Sequence, residues 1–226
     1  FSLIYSNTFK IQKNLFKIKV NLLSNQTSKN AILFTLISNR SMITREDALL
    51  ILRQSIQSES MIKHSIASEA VMRALAVHIE EDPEIWGLAG LLHDLDVEIT
   101  NANPKIHGTI APTLLKKFNL PIEITDAIIM HNEEAAPRLR QTKIEHALAA
   151  GETITGLITA TTYVYPDKKI HSVKPKSIIK RMKEKHFAAS VKRKNILECE
   201  KIGIPLDLFV TISLCAMQGI AADIGL

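Results

Sequence analysis

From Met42 onward, apolar positions recur at three- and four-residue steps, the period of helices that bury one face. The segment "TREDALLILRQSI" puts Ala48, Leu49, Leu52 and Ile56 on one side, and Thr44 can cap it with Asp47 three residues on. "SMIKHSIASEAVMRALAVHIEED" carries a broader stripe through Ile62, Ile66, Ala70, Leu75 and Ile79. Pro83 opens "PEIWGLAGLLHDLD", and a loop, "VEITNANP", leads to a helix in "KIHGTIAPTLLKKFN". Pro121 holds a first-turn position in "PIEITDAIIMHNEE". "QTKIEHALAAGETITGLITATTYV" reads as a long helix ended by Pro166. Basic helices begin near Pro175, and "IPLDLFVTISLCAMQGIAADI" follows. Val and Thr nowhere alternate with polar residues over a length that builds a sheet, and no internal repeat is found. The expected architecture is one all-α domain, residues 42–226, with about seven helices.

Residues 1–41 break this pattern. They are rich in Asn, Lys, Phe and Ile and hold six basic residues with no acid. They read as a non-homologous extension, disordered or translated from upstream of a start at Met42. A targeting presequence and a native segment packed on the domain are the alternatives, although the stretch is Lys-rich where a transit peptide is Arg-rich. Setting it aside changes the charge. The whole chain carries +5, but the remainder has 22 basic against 23 acidic residues, a net of −1. Bulk charge therefore gives no reason to expect a nucleic-acid partner. No run of about 18 apolar residues suggests a membrane span. Cys199 and Cys215 are far apart and form no C-x-x-C, which argues against a disulfide framework or a thiolate zinc site. They fit a reducing compartment, so a cytoplasmic location is expected, with organelle targeting by residues 1–41 left open.

The chemistry concentrates where "GLAGLLHDLDVE" runs from small and apolar residues into His93, Asp94, Asp96 and Glu98. A buried helix should not end in a histidine beside carboxylates unless something compensates them, and a bound cation does so. Mixed imidazole and carboxylate ligands suit iron, manganese, zinc or magnesium. His64 sits at the edge of an apolar stripe, where a histidine alone reads as a core or surface residue. His107 precedes Gly108, His131 precedes Asn132, and Glu152 lies among small residues in "AGETITGL". Asp96 reads either as a general base that orients water or as a solvated acid at a helix end.

The order His64, His93-Asp94, then a late acid resembles the H…HD…D signature of the HD-domain superfamily. The closest likeness is to small bacterial hydrolases of the HDIG type. They share the "HG" at 107–108, the "HN" at 131–132, the "TGLI" at 155–158 and a lysine-rich tract ending in "FAA". The resemblance implies an all-helical metal-dependent phosphohydrolase fold. It assigns one ion to His64, His93, Asp94 and Glu152; in the family's two-metal members further histidines hold a second ion bridged by the aspartate, and His107 and His131 occupy matching places, with phosphate contact or a weak second site the favoured role. Manganese, iron, magnesium, zinc or cobalt would serve, one or two per chain. Two departures stand out: the late acid is Glu152 where the family has aspartate, and the motif reads "HDLD".

The expected reaction is hydrolysis of a phosphate ester or anhydride, such as a nucleotide, by metal-activated water, with Asp94 and Asp96 as catalytic residues. His107 and His131 are also candidates for contact with substrate phosphate. From Lys168 to Lys194 there are eleven basic residues against one acid, Glu184. The tract reads as a solvated face or as a rim steering an anionic substrate, with Lys176 and Lys180 as contact candidates. Two other classes compete: a non-catalytic metal- or nucleotide-binding module and a di-iron oxygenase of the same fold.

Overall fold

The computed structural model of the chain describes residues 43–226. The extension read at residues 1–41 lies outside them. Among the described residues there is no strand, which matches the all-α expectation.

Local signals set the first elements. Helix α1 (Arg45–Ser55) starts at Thr44, whose hydroxyl accepts from the Asp47 amide while the Asp47 carboxylate accepts from the Thr44 amide. Helix α2 (Glu59–His78) starts at Ser58, and α3 (Pro83–Leu92) starts at Asp82 with proline in its first turn. The short α4 (Ala111–Leu115) runs into a 3₁₀ turn, Lys116–Phe118. Helices α5 (Ile122–His131) and α6 (Lys143–Tyr163) follow, the latter with a second reciprocal cap between Thr142 and Glu145. Then come α7 (Pro175–Met182), α8 (Arg193–Ile196), α9 (Leu206–Gly219) and α10 (Ala221–Ile224).

Seven of these helices have eight or more residues, in line with the sequence pattern. The ten helices of the described residues slightly exceed the expected seven or so; α8 and α10, each of four residues, are too short to show a periodic stripe. One boundary differs. The "KIHGTIAPTLLKKFN" segment is not helical from its start: residues 93–110 form consecutive turns, and α4 begins only at Ala111.

Helix α3 is buried on all sides from Trp86 to Leu92, as a helix apolar around its circumference must be. It lies against α2, which also packs on α6 and α9. Contact between α2 and α3 is close because position 90 is glycine; a Cβ there would lie 2.7 Å from the Ser68 carbonyl oxygen. Leu52, Met72, Leu75, Leu92, Ile154, Leu157 and Phe209 fill the space between the helices. This packing brings the second turn of α2, the end of α3, the end of α5 and the centre of α6 to one place.

Candidate metal centre

Each of those four elements delivers a polar side chain to the same cleft. His64 comes from α2, His93 and Asp94 from the first residues beyond α3, and His131 from the last residue of α5. His107 comes from the turn segment. The ligand-capable atoms of His64, His93 and Asp94 all lie within 4.8 Å of one another, and so do those of Asp94, His107 and His131. Asp94 is common to both sets. Its Oδ2 lies 3.5 Å from His64 Nε2, and its Oδ1 lies 3.3 Å from His93 Nε2, 2.8 Å from His107 Nε2 and 3.6 Å from His131 Nε2. His93 and Asp94 are therefore faced by three more histidines.

All four imidazoles are held from behind at Nδ1. His93 Nδ1 donates to the Gly90 carbonyl at 2.8 Å, and His131 Nδ1 to the Ile128 carbonyl at 2.6 Å. His107 Nδ1 pairs with Asp96 Oδ1 at 2.8 Å. His64 Nδ1 lies 3.0 Å from the Thr155 hydroxyl, whose own proton is committed to the Glu152 carbonyl at 2.7 Å, so the imidazole donates. With every Nδ1 turned outward, every Nε2 faces Asp94. Fixing the tautomer through the other ring nitrogen is the usual support of metal-binding histidines.

Two further observations suit a cation. His93 Nε2 is buried and accepts no hydrogen bond. The Nε2 atoms of His107 and His131 lie 3.1 Å apart, so two lone pairs would confront each other unless a proton or an ion lies between them. Burial lowers His64 to about 4 and His131 to about 3, keeping both neutral and ready to donate a lone pair. Burial also acts against charge on His107, but its bonds to Asp94 and Asp96 raise it to about 10. Burial disfavours the charge of Asp94 too, yet the imidazoles of His93 and His107 hold its carboxyl well below the usual range.

Glu152 stands at the edge of the group. Its Oε2 lies 3.9 Å from His64 Nε2 and its Oε1 accepts from the Thr153 hydroxyl, so it belongs to neither close triad. Burial, reinforced by the charge of Asp94, raises its carboxyl to about 7.

Three sequence expectations need correction. Asp96 does not face the cleft. Its carboxylate is fully buried and accepts from the backbone amides of Gly108, Ile110 and Ala111 as well as from His107. No lone pair is left to take a proton from water, so Asp96 positions His107 and folds the turn segment onto it. Glu98, the other spare acid, accepts from the amides of Gln57 and Ser58, both at 2.9 Å, at the start of α2. Lys176 and Lys180 do not line the cleft. They border a separate groove with Ile179, Lys183, Asp207 and Thr211.

The basic residue at the cleft is Lys192, which pairs with Glu133 at 3.3 Å and Glu134 at 2.8 Å. Sequence reasoning passed over it because one lysine in a basic run looks like its neighbours. It also missed Arg140, whose guanidinium holds the Met130 and His131 carbonyls at 2.9 and 2.6 Å and so fixes the end of α5. Gly108 allows the turn to close. Its φ is +89°, and a Cβ there would lie 2.9 Å from His131 Cε1.

This arrangement agrees with the comparison to known proteins, in which residues 61–152 match the HD domain family. They are an HD domain. The match runs from the turn of α2 that carries His64 to Glu152, the span that contains every side chain of the centre. HD domains bind divalent metals and are associated with metal-dependent phosphohydrolases. Ribonuclease Y of Acholeplasma laidlawii is 30% identical over 79 residues, covering 35% of this chain and 15% of that protein. Ribonuclease Y of Lawsonia intracellularis is 32% identical over 77 residues, covering 34% and 15%. Ribonuclease Y of Thermus thermophilus is 29% identical over 80 residues, covering 35% and 14%. The chain thus spans about 15% of the length of these relatives. No solved structure matches the chain significantly.

Proposed function

We propose that the chain is a phosphohydrolase whose HD domain uses two divalent cations. The observation that carries this reading is the pair of triads sharing Asp94, each with two histidines whose tautomers are fixed for metal binding. His64, His93 and Asp94 would hold one ion, and Asp94, His107 and His131 the other. Glu152 would complete the first site by a small rotation, a cation supplying the stabilisation its buried carboxylate otherwise lacks. Two such ions, when bound, supply a hydroxide near neutral pH and neutralise the charge that builds on phosphate during displacement. Lys192 sits where it can exchange Glu133 and Glu134 for a phosphate oxygen, and Asn195 borders the same cleft of about 310 Å³. Relatives named as ribonucleases make a phosphodiester a sensible member of the substrate panel.

The test joins metal analysis to turnover. Protein purified without added metal, then loaded with manganese, iron, magnesium, zinc or cobalt, is assayed with p-nitrophenyl phosphate, its diester and a short RNA. We expect about two ions per chain, hydrolysis lost on chelation and regained on reloading, and neither ions nor hydrolysis in Asp94→Ala. Two retained ions with no hydrolysis would favour a binding module, and oxygen consumption by the iron-loaded form would favour an oxygenase. Either outcome overturns the proposal.

A further inference from the structure

A second cavity of about 470 Å³ adjoins the metal cleft, and the two share His64 and Gly156 in their walls. Residue 156, which has no side chain, lies in the wall common to both. A Cβ there would already touch Val191 Cγ2 at 3.4 Å, so any larger group would fill the gap between α6 and the 184–191 loop. That loop is fixed by Arg193, whose guanidinium holds the carbonyls of Phe187, Ala188 and Val191. The second cavity combines a ring, Tyr163, with the hydroxyls of Ser60 and Thr159, the small Ala160 and the ammonium of Lys63; Glu59, also on its wall, pairs with Arg53 at 3.5 Å. Tyr163 is 57% exposed, so its ring can stack, and Lys63 forms no ion pair among the described residues. The volume falls in the range of small-molecule sites.

We infer that this cavity takes the organic half of the substrate: a ring-bearing alcohol, esterified to the phosphate at the metal centre and carrying a second anionic group that pairs with Lys63. The inference rests on the phosphohydrolase reading for the phosphate's place and adds what lies beyond it. Gly156 is then a specificity-determining position, and Tyr163 offers the stacking face.

The probe is thymidine 3′,5′-bisphosphate, titrated calorimetrically into manganese-loaded protein, with thymidine 5′-monophosphate and inorganic phosphate for comparison. Ala160→Phe fills the cavity without touching the metal cleft, Gly156→Leu places a bulky side chain in the wall common to both, and Lys63→Ala removes the cation. We expect Ala160→Phe and Gly156→Leu to weaken bisphosphate binding roughly tenfold or more, with metal content and inorganic phosphate binding unchanged in Ala160→Phe. Lys63→Ala should weaken the bisphosphate but leave the monophosphate as in wild type. Wild-type affinity for the bisphosphate in Ala160→Phe overturns the inference, even if Gly156→Leu fails to fold. Hydrolysis of methyl p-nitrophenyl phosphate, too small to reach the cavity, separates the two readings. If it is turned over while the binding pattern fails, the subsite falls and the catalytic reading stands. If it is not turned over while the binding pattern holds, the reverse applies.

Discussion

Asp96 shows how little a residue's identity says about its direction. Two residues from Asp94, which both triads share, it presents the same carboxylate as a general base would. Its oxygens are nevertheless taken by three backbone amides and one imidazole. Replacement by Asn keeps the shape but turns one acceptor into a donor facing amides that need acceptors. We expect Asp96→Asn to lose roughly 1–3 kcal/mol of stability, read from urea unfolding of the metal-free protein. It should also loosen His107, which loses its partner at Nδ1. Metal affinity at the Asp94–His107–His131 triad should fall about 10- to 100-fold while the other triad keeps its ion, a difference that titration with a metal indicator resolves. A general base would behave otherwise: both ions would remain tight and only turnover would drop.

Helices α2 and α3 determine how near His64 and His93 come. At Gly90 the chain opposite is backbone rather than a flexible side chain, so an added methyl group must push the helices apart. Gly90→Ala is expected to cost roughly 1–3 kcal/mol, as overpacking a core does. It should also weaken the ion between His64 and His93 more than the one between His107 and His131. Gly219→Ala, with nothing within 4 Å of the added atom, is the control and should be neutral or slightly stabilising in the same thermal melts. These helices were legible in the sequence because their signals are local: Thr44 with Asp47, Pro83 at a first turn, a stripe from Ile62 to Leu75. His64, His93 and Asp94 were legible as polar interruptions of apolar stripes. The path of residues 93–110 was not, because consecutive turns have no period, and that path decides where His107 and Asp96 point. The acceptors that fix His93 and His131 are the carbonyls of Gly90 and Ile128, which carry no residue signature. Lys192 rather than Lys176 faces the cleft because Arg193 clasps the preceding loop, a tertiary contact that a run of charges does not reveal.

Stability of the molecule as a whole depends on buried acids kept charged, and Glu145 isolates one of them away from the candidate metal centre. It lies at the start of α6, where its carboxylate accepts from Arg138 at 2.6 and 2.9 Å and from the Gln141 and Thr142 amides. Burial alone would raise its pKa, but the Arg138 bonds and those amides outweigh burial and bring it to about 2, against an ordinary 4.5. The unfolded chain therefore binds the proton more readily than the folded one between these values. The stabilisation is fully present above about pH 4.5 and is lost as pH falls toward about 2. Glu145→Gln keeps the side chain's length and its capping acceptor but removes the charge. At pH 7 the variant should be less stable than wild type by roughly 1–3 kcal/mol, the worth of hydrogen bonds to a charged group. In urea unfolding from pH 7 down to the lowest pH at which both proteins still fold, that gap should be constant to about pH 4.5 and then narrow. Other carboxylates titrate in the same window, but they are common to both proteins and cancel in the difference. A gap that stayed constant below pH 4.5 would show that Glu145 contributes by shape and capping alone. A gap that widened would require the opposite sign of shift and would contradict the Arg138 pairing as the source of its charge.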